Sequence, residues 1–134
     1  MTHTKEPSEF PGRFTIREIL ARLEELPDTD STLDLSDFPK DRAYEYSYHV
    51  ELLIDAGLVV GQMSRTLGSG PTHFFARRLT WPGHEFLDSI RSDTVWNQTK
   101  KSFASKGIDM TFDLVKTVAS EISVTLIRGA TGVL

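Results

Sequence analysis

The sequence predicts an α+β fold that is mainly α. Three observations carry this reading. Apolar residues recur at helical spacing in five separate segments, one pair of strand-like runs (58–64 and 74–79) flanks a glycine-rich stretch, and helix-start and helix-stop residues punctuate the chain between them. With 134 residues, of which 39% are hydrophobic and 25% charged, the chain has the composition of one ordinary globular domain.

Residues 1–14 hold Pro7, Pro11 and Gly12 without periodicity and read as an arm. Thr15 and Glu18 have the spacing of a capping box, and Ile16, Ile19, Leu20, Leu23 and Leu26 then form one helical face that Pro27 ends. Residues 28–39 are rich in aspartate and read as a loop with one helical turn, pinned to the core by Leu33, Leu35 and Phe38. Asp41 is placed to cap a second long helix reaching Ala56, with Tyr46, Val50, Leu53 and Ile54 on one face and Gly57 as its left-handed stop. Two strands follow, 58–64 and 74–79, joined by a tip containing Gly68, Gly70 and Pro71.

Thr80 is the expected N-cap of a third helix, with Pro82 in its first turn and Phe86, Leu87 and Ile90 facing inward. A break is expected near residues 92–94. A fourth helix then buries Val95, Trp96, Thr99 and Phe103 and stops at Gly107, and Asp109 caps a last helix bearing Leu114, Val115, Val118, Ile122 and Leu126. The resulting organisation is an arm (1–14), a core (15–91), a helical extension of the same domain (92–128) and a tail (129–134).

Composition also excludes several classes of function. Without cysteine there is no disulfide scaffold, thiolate zinc site or cysteine nucleophile. The N-terminal stretch lacks the apolar region of a signal peptide, and no apolar run is long enough for a membrane span, so a cytoplasmic protein is expected. The net charge of −4 is unevenly spread. Residues 1–64 carry 6 basic against 13 acidic side chains (−7) and residues 65–134 carry 9 against 6 (+3). Such a balance argues against a protein that coats nucleic acid non-specifically, because Lys and Arg supply that affinity.

A helix, a short acidic segment, a long helix ending in Ala-Gly-Leu-Val, a hairpin and a helix opened by Leu-Thr-x-x-Gly together resemble a winged helix-turn-helix over about residues 14–91. That resemblance implies that residues 41–56 form a recognition helix and that the hairpin loop is a wing. Three runs are more specific: YHVELLIDAGLV (48–59), RLTWPGHEFLDSIRSDTVWNQTKK (78–101) and FDLVKTVA (112–119) are similar to a family of short bacterial and phage proteins, domain of unknown function 2513. The similarity runs from about Phe14 to Ile127 and implies a bacterial or prophage origin. It brings no activity and no site residues.

If the second helix reads DNA, Lys40, Arg42 and Tyr44 are its candidate contacts, although residues 40–57 carry Asp41, Glu45, Glu51 and Asp55 against only Lys40 and Arg42. Arg65, Arg77 and Arg78 are the candidate wing contacts. Strand alternation places Arg77 and Arg78 on opposite faces, and solvated edge-strand arginines that deter aggregation are the alternative reading. Glu45, Glu51 and Asp55 are instead the candidates for docking a basic protein partner. In the last helix Val115, Val118, Ile122 and Leu126 make an apolar face suited to a homodimer.

Enzyme-like patterns are incomplete. His84-Glu85-Phe86-Leu87-Asp88 has Asp where a zinc protease helix needs its second His, so His84 is expected to pack in the interior, against Trp81 or a carboxylate. The glycine-rich tip lacks the Gly-Lys-Ser/Thr ending of a phosphate loop, and Asp28, Asp30, Asp34 and Asp37 lack the order of a calcium loop. No enzyme activity, metal or cofactor is expected. Two functions remain: a small winged-helix DNA-binding regulator, or a winged-helix protein-interaction module whose acidic face docks a partner, as in conflict between phage and host.

Overall fold

A computed structural model describes residues 13–65 and 70–131. Most of the expected arm, the hairpin tip at 66–69 and the tail end at 132–134 lie outside them. The chain forms two compact units, one ending at Leu87 and one starting at Asp88. The α+β, mainly α class holds: among the described residues five α-helices accompany one three-stranded antiparallel sheet.

The first unit opens with α1 (Arg13–Glu24). Helix α1 starts before Thr15, which removes the expected capping box. Thr15 is buried, and its hydroxyl donates to the Glu45 carboxylate instead of accepting from the first turn. Ile16, Ile19, Leu20 and Leu23 form the buried stripe. Asp28 then takes the chain round, its Oδ1 accepting from the backbone N–H groups of Asp30 (3.0 Å) and Ser31 (2.8 Å).

The next segment departs from the expected loop. Leu33–Asp34 form β1, which pairs antiparallel with the later strand β3 (His73–Leu79) through Leu33↔Ala76 and Asp34↔Phe75. Two residues carry no readable strand period, so only the sheet reveals them. A 3-10 turn over Leu35–Asp37 follows, capped reciprocally by Asp34 and Asp37. Phe38 is buried as expected, stacked on Tyr46 at 4.3 Å and tilted against Phe74 at 6.0 Å.

Asp41 does not cap the second long helix. It lies within a 3-10 turn, Lys40–Arg42, and Arg42 takes the N-cap position of α2 (Ala43–Asp55) with no side-chain cap. Pro39 explains the delay, because its carbonyl accepts from Arg42 N–H (3.1 Å) and closes the tighter turn first. At the other end Gly57 has φ +76°, and Leu58 N–H reaches back to the Leu53 carbonyl at 3.0 Å. This left-handed stop is the one expected.

Strand β2 (Val59–Ser64) pairs with β3, and the sheet order is β1-β3-β2. The register runs Val60↔Arg78 and then Gly61↔Ala76, so Arg77 is an extra residue in a β-bulge. Leu33, Phe74, Ala76 and Leu79 are buried on the inner face, while His73, Phe75, Arg77 and Arg78 are exposed.

Helix α3 (Trp81–Ile90) begins as expected at Thr80, whose Oγ1 accepts from Gly83 N–H (3.1 Å) and donates to the Gly57 carbonyl (2.6 Å). One threonine thus caps α3 and ties it to the end of α2. Phe86, Leu87 and Ile90 are buried. Trp81 is 77% exposed, because it precedes the turn where the helix first buries a face.

In the second unit α4 (Asp93–Lys106) is capped by Ser92, buries Val95, Trp96, Thr99 and Phe103, and ends at Gly107. Helix α5 (Phe112–Thr131) packs along it. Its cap is Thr111, whose Oγ1 accepts from Leu114 N–H at 3.2 Å. Asp109 lies too far upstream, since the helix starts only at Phe112. No helix among the described residues is long and apolar enough to cross a membrane.

The approach of α3 to the strand start is closest at Gly83. A Cβ there would lie 2.0 Å from the Leu58 carbonyl oxygen, a backbone atom that already accepts from Thr80 N–H. Gly83→Ala is therefore expected to destabilise by about 1–3 kcal/mol or more, as overpacking does. Thermal denaturation measures it; an unchanged Tm would mean that the junction is not rigid.

Candidate functional site

The residues expected to serve the second helix divide into two groups. Arg42 donates to both carboxylate oxygens of Glu45, Nε to Oε1 at 3.1 Å and Nη2 to Oε2 at 2.8 Å. Its Nη2 also donates to Thr15 Oγ1 of α1 at 3.0 Å, and the guanidinium lies over the Tyr46 ring at 4.8 Å. The Tyr46 hydroxyl donates to Glu18 at 2.6 Å. These groups form a polar seam between α1 and α2.

The seam holds its charges firmly. Hydrogen bonds from Arg42, joined by that from Thr15, lower the Glu45 carboxyl to about 2. Burial, with the bond to Glu18, raises the Tyr46 phenol to about 12. Arg42 is accordingly a clamp between helices, paired with Glu45, and the two side chains keep 39% and 38% of their surface exposed.

A second expected DNA contact, Arg65, is also ion-paired, with 65% of its side chain exposed. Arg65 pairs with Glu51 of α2, joining hairpin to helix next to the bond from Ser47 Oγ to the Thr72 carbonyl (2.7 Å). The outward stripe of α2 then consists of Tyr44, Tyr48, Glu51 and Asp55 at helical spacing. Tyr44 is 66% and Tyr48 53% exposed. Asp41 and Lys40 lie exposed just before the helix. His49 is buried with Nδ1 2.6 Å from the Glu45 carbonyl.

Arg77 and Arg78 do not face opposite ways. Both line one cleft of about 310 Å³ with Leu23, Leu26, Asp28 and Thr29. The bulge is the reason: with Arg77 the extra residue, the strand's alternation skips a step and both arginines fall on the exposed side. Nor are they on an edge strand, since β3 is the central strand, although β1 covers it only at Phe75 and Ala76.

Of the expected dimer face, Val115 is fully buried within its own chain and cannot contribute. Val118, Ile122 and Leu126 line a groove of about 290 Å³ with Gln98 and Ser102 of α4. His84 is exposed and not interior, because it falls on the outer side of α3 opposite Phe86 and Leu87. Asp88, its neighbour on that helix, accepts from Arg91 at 2.6 Å. Among the described residues no group of three metal-ligating side chains forms.

A family model described as "Hypothetical protein (DUF2513)" matches residues 15–109, from within α1 to just past the end of α4. The chain belongs to the DUF2513 family. A DUF2513 relative in scope is a Haemophilus influenzae protein described as an uncharacterized protein, 40% identical over 107 residues, which span 80% of this chain and 89% of that one. No solved structure matches this DUF2513 chain.

Sequence reasoning missed the seam partners Thr15, Glu18 and Tyr46 and the cleft wall at Leu23, Leu26 and Thr29. Only one signal was available: Arg42 and Glu45 are three apart, the spacing of a helical ion pair.

The lowered Glu45 pKa fixes a pH dependence. A carboxyl depressed from 4.5 to about 2 contributes stability that is present above about 4.5 and lost as pH falls towards 2. With 38% of its side chain exposed, solvent screening reduces the contribution to about 1 kcal/mol. Wild type is expected to exceed Glu45→Gln in urea stability at pH 7, with the gap closing between those pH values. A constant gap would mean that the pair is not what the carboxylate contributes.

Proposed function

We propose that this chain is a winged-helix-like protein-interaction module that acts by binding and not by catalysis, with α2 docking a basic surface of a protein partner. One observation carries the reading: the outward stripe of α2 presents two exposed tyrosines with the exposed Asp55 and the Arg65-paired Glu51, Asp41 lies exposed just before the helix, and Arg42 is tied to Glu45.

The winged-helix reading is supported by the order helix, strand, tight turns, helix, hairpin and by the strand order β1-β3-β2. The two 3-10 turns stand where such folds carry their first helix of the turn motif. In that frame α2 is the element that meets the partner. Tyrosine supplies large contact area at low entropy cost, and the surrounding carboxylates select Lys and Arg on the opposing surface. A groove lined with phosphates would meet the same carboxylates as repulsion.

Duplex DNA is the second reading, favoured by Lys40 and Tyr44 at the start of α2, where exposed donors can reach a phosphate. Two experiments separate the readings. A photo-crosslinking residue at position 48, used in the producing cells, is expected to give a protein adduct whose linked peptide is rich in Lys or Arg. Changing Glu51 and Asp55 to Lys is expected to remove it. Binding of mixed-sequence duplex at low salt that Tyr44→Ala with Tyr48→Ala abolishes would overturn the interaction reading.

A further inference from the structure

The cleft at the base of the hairpin has a composition of its own. Its walls are Leu23 and Leu26 from the end of α1, Asp28 and Thr29 from the following turn, and the consecutive Arg77 and Arg78 of β3. No residue of α2 lines it. Its volume of about 310 Å³ lies in the range of small-ligand sites.

Two adjacent guanidinium groups on one side of a strand repel each other. Among the described residues neither lies in an ion pair, and the one carboxylate in the cleft, Asp28, already accepts three hydrogen bonds from Ser31 and Asp30 on its Oδ1. Those bonds also lower the Asp28 pKa. A bulge that turns both arginines to one side, beside apolar leucines and a threonine, leaves two fork-shaped cation donors with no internal acceptor. Planar guanidinium groups suit an oxyanion that accepts from both.

We propose that this cleft binds a small organic oxyanion, a phosphate or carboxylate carried on a short apolar body. The anion lies between Arg77 and Arg78, Thr29 is placed to donate to it, and the apolar body rests on Leu23 and Leu26. The size of the cleft selects a small molecule over a duplex, whose phosphates are carried on a cylinder too wide to enter. The site is separate from the α2 stripe, so its loss leaves the interaction reading intact.

Titration calorimetry on the full chain tests it with three probes: phenyl phosphate, benzoate and inorganic phosphate. Phenyl phosphate or benzoate is expected to bind, and more tightly than inorganic phosphate because only the aryl compounds use the leucine wall. Arg77→Gln with Arg78→Gln is expected to weaken that binding about 10- to 100-fold, the loss expected for charge-assisted hydrogen bonds. Both side chains are exposed, so the variant is expected to keep the wild-type Tm. Arg65→Gln, outside the cleft, is expected to bind as wild type does. Inorganic phosphate binding as tightly as the aryl anions, equal binding by the double variant, or no binding of any probe would each overturn the proposal.

Discussion

Arg42 sits where three demands meet. It bridges both oxygens of Glu45 one turn along its own helix, reaches Thr15 on α1, and covers the ring of Tyr46. Tyr46 in turn stacks on Phe38 and bonds Glu18. The rotation of α2 about its own axis is thereby set. With Tyr46, Val50 and Leu53 turned in, helical spacing leaves Tyr44, Tyr48, Glu51 and Asp55 turned out. The seam therefore holds Arg42, at the helix start, in a pair with Glu45 and leaves the two tyrosines and Asp55 turned outward.

A second constraint holds the strands to that helix. Gly57 ends α2 in a left-handed turn, its carbonyl accepts from Thr80, Thr80 caps α3, and Gly83 allows α3 to pass against the Leu58 carbonyl. Within four residues of chain on either side, the end of one helix, the start of one strand, the end of another and the start of a third helix are joined. The bulge at Val60/Gly61 lies immediately beyond this junction. A tightly anchored strand base that still carries an extra residue keeps Arg77 and Arg78 in a defined place, which a loop could not do.

Much of this was readable from periodicity and punctuation. The buried faces of α1 to α4, the left-handed stops at Gly57 and Gly107, and the cap at Thr80 follow from spacing and from the few residues that tolerate such positions, whereas in α5 only Val115 of the expected face is buried, beside Ala119, and Leu114 and Leu126 are exposed. Features set by tertiary pairing were not readable. Strand β1 is two residues long and exists only through β3; Thr15 looks like a cap until α2 supplies a carboxylate for its hydroxyl; and the shared side of Arg77 and Arg78 depends on an extra residue in β3 that only its pairing with β2 reveals. Caps failed at Asp41 and Asp109 for a local reason: several polar residues in each stretch were chemically able to cap, and Pro39 in one case and Thr111 in the other decided where the helix began.

The opposite charges of the two halves of the sequence acquire a physical meaning in the first unit. All of its acidic residues but Glu85 come from the chain before the hairpin tip, and β3, arriving from the basic part, brings Arg77 and Arg78 into the same body. A charge separation within one small unit survives because exposed charges are screened over about 8 Å at physiological ionic strength. A partner approaching α2 therefore meets carboxylates and tyrosines, whereas a ligand entering the cleft meets two arginines. On the readings proposed above, the α2 surface and the cleft therefore ask for partners of opposite charge, a basic protein face for the one and a small anion for the other.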